Sequence, residues 1–150
     1  MKNPLNRVAT LSWLGILLGF SVLLAEAAER TATSAADSQR LAFRAAEHGE
    51  FTFDTGVLRG KLRAGGKSLG LSSVVHVPSG TALDRSMGLF SHYRVFTAGK
   101  RYGGGAWDWR STAQLRDDGA VEVHWPAAGD RPFELRAIYR WSDPATLDLE

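Results

Sequence analysis

A chain of 150 residues, 44% hydrophobic and 23% charged, has the length of one ordinary domain and the composition of a folded one, which excludes wholesale disorder and a multi-span membrane protein. It holds no cysteine, which removes disulfides, thiolate-bound zinc, iron–sulfur clusters, thiol catalysis and a lipid anchor on an N-terminal cysteine. With 18 Lys and Arg against 16 Asp and Glu, the charge is nearly balanced, far from the cationic stripe that phosphate neutralisation requires, so no nucleic-acid partner is expected.

The first element in chain order is a leader. Lys2 and Arg7 precede an apolar stretch over residues 11–25, and Ala25 and Ala27 supply the small residues that a leader cleavage site needs. The run is shorter than the roughly 20 apolar residues of a membrane span, and Glu26 closes it. Residues 1–27 are therefore read as a signal peptide rather than an anchor, and the processed chain as secreted or periplasmic. No twin arginine is present, which argues against the twin-arginine export route. Residues 28–49 read as a linker of Ala, Thr, Ser and charge that includes a short helix over residues 38–48. Asp37 or Ser38 would cap it, Leu41 and Ala45 keep the i, i+4 spacing, and Gly49 would stop it.

From residue 50 to 150 the hydrophobic period is two, the mark of strands with one buried face. Phe51 with Phe53, then Leu58 with Leu62, suggest a first pair, and Leu69, Leu71, Val75 and Val77 a further strand. Phe90, His92, Arg94 and Phe96 alternate with Leu89, Ser91, Tyr93 and Val95. Val121, Val123 and Trp125 alternate with Glu122 and His124, and Phe133, Leu135, Ala137, Tyr139 and Trp141 with Glu134, Arg136, Ile138 and Arg140.

Turn chemistry sets two registers. A two-residue turn at Asp118-Gly119 would put Leu115 opposite Glu122, whereas a three-residue loop over residues 117–119, with Gly119 left-handed, sets Leu115 against Val121, Ala113 against Val123 and Gln114 against Glu122. Around Ser142-Asp143-Pro144, Trp141 faces Leu147, Tyr139 faces Leu149, and Arg140 meets Asp148. Short strands joined by Gly- and Pro-rich turns predict an all-β, twisted antiparallel β-sandwich with a short N-terminal helix at most. Residues 147–150 stop in mid-alternation, so the chain is expected to be the N-terminal part of a larger sandwich, the alternative being a dimer through that edge strand.

Several motifs bear on chemistry. Asp54-Thr55-Gly56 matches the core of the aspartic-protease signature, but no second copy follows, and a bend between strands with Gly56 at positive φ and Asp54 capping it is the preferred reading. His48, His76, His92 and His124 have no metal-ligand spacing, and no phosphate loop or nucleophile elbow is present, so neither a metal nor a cofactor is predicted. One region stands apart. Arg85, Arg94, Lys100, Arg101 and Arg110 stand against Asp108 alone, interleaved with His92, Tyr93, Phe96, Tyr102, Trp107 and Trp109 around the triple glycine of residues 103–105. If Phe90 and Phe96 point inward, His92 and Arg94 are carried with them and need partners or line a site. The competing interpretation is that Trp107 and Trp109 pack a core and the basic residues are solvated.

Residues 88–96 and 133–150 resemble parts of secreted bacterial β-sandwich proteins similar in architecture to the galactose-mutarotase-like, carbohydrate-associated fold. The resemblance implies a concave sheet that presents His92, Arg94, Tyr102, Trp107 and Trp109 to a saccharide, with His92 and Asp108 available as a base and an acid. The functional expectation is an exported domain that binds or modifies carbohydrate, and the alternative is a non-catalytic structural or interaction module of the cell envelope.

Overall fold

In the computed structural model, antiparallel pairing begins at Arg44–Ala45 (β1) and runs to Thr146–Leu149 (β11). The structure describes residues 39–66, 69–84, 86–90, 94–102 and 108–150, all within one compact unit, Asp37–Glu150. The first sheet has the order β1, β2 (Glu50–Asp54), β3 (Leu58–Arg63), β4 (Gly70–His76) and β5 (Thr81–Ala82). A hairpin of β6 (Val95–Thr97) and β7 (Lys100–Tyr102) follows. The second sheet runs β8 (Thr112–Leu115), β9 (Val121–Trp125), β10 (Leu135–Asp143) and β11. Each strand pairs with its neighbour in the chain, as short connections between antiparallel strands dictate. The fold is all-β, as the period of two implies.

The two large sheets give their apolar faces to one core. Phe51, Phe53, Leu62, Leu71 and Val74 come from the first, and Val121, Val123, Trp125, Ala137, Tyr139 and Trp141 from the second. Phe53 and Trp141 meet across the layers with ring centroids 4.8 Å apart, and Phe43 packs edge-on against Phe53 at 5.6 Å. Both predicted hairpin registers are present. Leu115 pairs with Val121, Gln114 with Glu122 and Ala113 with Val123, around a loop in which Gly119 has φ of 78°. Tyr139 pairs with Leu149, Arg140 with Asp148 and Trp141 with Leu147. The Asp54-Thr55-Gly56 segment forms the expected bend: Gly56 has φ of 86°, and its amide donates to Asp54 Oδ1 at 3.0 Å.

Three expectations are corrected. The helix over residues 38–48 does not form along that length: residues 39–40 are helical, but Arg44–Ala45 is a strand paired to β2, and Glu47–Gly49 is a single 3-10 turn with His48 at φ of 58°. Two apolar residues at one spacing were too little to hold a helix against strand pairing. Phe43, which helical spacing left unpaired, is 1% exposed, and its amide donates to the Gly119 carbonyl at 2.9 Å, so the packed core begins before residue 50.

In β4, Lys61 pairs with Ser73 and Leu62 with Leu71, leaving an extra residue on the β4 side. This bulge resets the alternation, so Leu71 and Val74 face the core while Val75 and Val77 are only partly buried. Finally, Phe90, Arg94 and Phe96 do not turn inward: Phe90 is 50% and Phe96 65% exposed, and Arg94 is exposed too. Leu89 instead bridges to Leu71 and packs against the core, and Val95 is half-buried. Phe90, at φ of 58°, sits in a bend, and the strand begins only at Val95; residues 91–93, the middle of the expected strand, lie outside the described residues.

The outer face of the second sheet is an ion-pair ladder. Arg116 and Arg136 both hold Glu122, at 3.2 and 3.1 Å, and His124 meets Glu134 at 3.0 Å. The Arg140 guanidinium, opposite Asp148 in register, donates instead to Asp118 at 2.7 Å. That bond, with one from the Ala120 amide, holds the Asp118 carboxyl below the usual range, and His124 with Arg136 does the same for Glu134. A carboxylate with a depressed folded-state pKa contributes stability above its unfolded value and loses it as pH falls through the folded one. Tm is therefore expected to hold from neutral pH down to about 4 and to fall below it. Asp118→Asn should flatten that acid slope, which thermal melts in steps of pH would measure.

Candidate binding cleft

Tyr102 and Trp109, two of the residues singled out in the basic and aromatic region, come together, and Phe133 joins them. The Ala98-Gly99 turn, with Gly99 at φ of 79°, folds β7 back on β6 and leaves Tyr102 at its end, half-buried. The Tyr102 ring stands edge-on to Phe133 at 4.9 Å, and Trp109 meets the same ring at 6.2 Å. Lys100 Nζ lies 4.5 Å over the Tyr102 ring. Stacked on Trp109, with Cζ 4.2 Å from the ring centroid, is the guanidinium of Arg131.

Arg131 is held by its own turn. Ala128 and Arg131 exchange two backbone hydrogen bonds of 2.9 Å around Gly129-Asp130, and Nη2 donates to the Pro126 carbonyl. The side chain is 4% exposed. A cation over an indole face is attracted by the ring quadrupole, more so out of water.

On the Trp109 side opens a cleft of about 480 Å³, lined by His48, Arg63, Trp109, Arg110 and Ser111 among others. Ser111 Oγ donates to the Ala64 carbonyl at 2.9 Å, tying the start of β8 to the end of β3 and closing one wall. Arg63 is shared with Glu50, whose carboxylate lies 3.7 Å from its Nε and 3.1 Å from Lys61 Nζ. Among the described residues two arginines and a histidine line the cleft and no carboxylate does, so it offers an indole surface, two guanidinium groups and an imidazole.

Of the residues expected to carry a site, Tyr102 and Trp109 belong to this cluster, and Arg94 points outward ahead of β6. His92 and Trp107 lie outside the described residues, as does Arg85, so the pairing of His92 with Asp108 falls there too; Asp108 itself is exposed. Among the described residues, no group of three or more His, Asp or Glu side chains gathers as a metal site, and no helix is long and apolar enough to cross a membrane. Sequence reasoning missed Arg131, His48 and Arg63. An arginine in a Gly-Asp-Arg-Pro turn reads as solvated, and nothing local marks it as buried; Phe133 was legible as apolar but not as the ring joining Tyr102 to Trp109. No family model, no curated protein and no solved structure matches this chain.

Proposed function

We propose that this chain is an exported β-sheet module that holds a saccharide in the Trp109 cleft. The observation that carries the reading is the lining itself: an indole with two arginines, a histidine and a serine hydroxyl around a space of about 480 Å³. A sugar presents C–H groups to an aromatic face and hydroxyls to charged donors, and that is the pairing this cleft provides. The leader over residues 1–27 and the likeness of residues 88–96 and 133–150 to secreted β-sandwich proteins support the same reading.

One observation favours the structural-module alternative. Trp109 is more than half buried, packs against the core, and has Arg131 stacked on its ring. Trp109→Ala separates the two. Retained folding, with loss of retardation in gels cast with xylan, β-glucan or polygalacturonate, is the result expected of a saccharide cleft. Loss of about 3–5 kcal/mol in urea unfolding, the range for a core indole, is the result expected of a structural pillar. Turnover of a retained polysaccharide by the wild type would then decide between binder and enzyme.

A further inference from the structure

Arg131 is a buried, permanently charged group whose donors are not used up. Its Nε and Nη1 are shut off from solvent and have no hydrogen-bond partner, while Nη2 alone reaches the Pro126 carbonyl. None of the ion pairs among the described residues involves it. The rings of Trp109 at 4.2 Å and Phe133 at 5.9 Å offset part of the lost hydration, but a ring face accepts no in-plane N–H, so the fork itself stays unmatched. Leucine or methionine would fill such a place between aromatic rings without that penalty. A chain that keeps an arginine here holds a receptor for something planar and negative.

We infer that Arg131 receives the carboxylate of an acidic sugar bound at the Trp109 cleft, an inference that rests on the saccharide reading above. A guanidinium matches a carboxylate in plane and charge. A singly charged carboxylate balances this one buried cation, whereas a phosphate monoester would bring a second negative charge between the aromatic walls. Arg63 and Arg110, which line the cleft beside the indole, draw the same class of ligand. Because Trp109 covers the guanidinium, the carboxylate reaches Nε and Nη1 only as the indole shifts, and binding is read at Trp109.

The test uses the full chain with sodium glucuronate and glucose, which differ only at C6, followed through the Trp109 indole N–H resonance and thermal melts. Glucuronate should move that resonance saturably and raise Tm, binding about tenfold or more tighter than glucose. Arg131→Met should melt no lower than the wild type without sugar and lose the preference for glucuronate. Should that variant fail to fold, Arg131→Lys keeps the charge without the fork and must weaken glucuronate binding while leaving glucose binding as it was. Equal binding of the two sugars overturns the role of Arg131 and leaves the saccharide reading standing. A preference for glucuronate that survives in the variants also overturns that role, and no response to either sugar overturns both.

Discussion

Gly60→Ala is expected to cost about 3 kcal/mol, the upper end of what one added methyl does in a packed interior, and to lower Tm by roughly 10 °C or more. Gly60 sits in β3 between Phe53 of β2 and Val74 of β4. A Cβ there would overlap the Ser73 carbonyl oxygen and come within 3.0 Å of the Phe53 ring. The Ser73 carbonyl is brought there by the β4 bulge, and because it is backbone it moves only if the β3–β4 ladder moves with it. Gly56→Ala is the control. Nothing lies within 4 Å of a Cβ at Gly56, but its φ is 86°, so only the left-handed penalty of about 1–2 kcal/mol applies. Hydrogen exchange should show β3–β4 amides loosened in the Gly60 variant and protected in the Gly56 variant. Equal losses in the two would mean that space at the bulge is not what Gly60 provides.

Trp125→Ala should remove about 3–5 kcal/mol, roughly a fifth or more of the 5–15 kcal/mol that holds an ordinary domain together. Trp125 is fully buried at the end of β9 and pairs with Leu135 at the start of β10, so the cavity opens beneath the two central strands of the second sheet, which their ladder keeps from closing on it. Urea unfolding should show the midpoint falling with the slope unchanged, the pattern of lost stability without a change in the unfolded chain. Retained wild-type stability would place the Trp125 indole outside the core.

The candidate site was partly legible. Tyr102 and Trp109 were singled out because aromatics and basic residues interleave in one stretch, and both pack against one ring, Phe133. What joins them is Phe133, in the connection between β9 and β10, and the cation stacked on Trp109 comes from the turn at Gly129-Asp130 in that same connection. Arg140 shows the same limit on a smaller scale. Its place opposite Asp148 followed from the hairpin, yet its guanidinium reaches Asp118, in the loop between β8 and β9.

By itself the sequence determined whatever acts over a few residues: the period of two and so the all-β class, the three-residue loop that sets Leu115 against Val121, the hairpin that sets Arg140 against Asp148, and the bend at Gly56. Turn geometry and side-chain alternation are local, and a register slip of one residue would turn every apolar group to water, so the pattern admits one answer. Tertiary structure alone decided which side of the pattern faces in, where one extra residue resets it, and which charge is buried. Leu89 rather than Phe90 turns to the core because Leu71 bridges to it, Phe43 is held where the loop at Gly119 receives its amide, and Arg131 is covered by Trp109, 22 residues away, as well as by its near neighbour Phe133. Burial depends on what arrives from distant parts of the chain, and no local window contains that information.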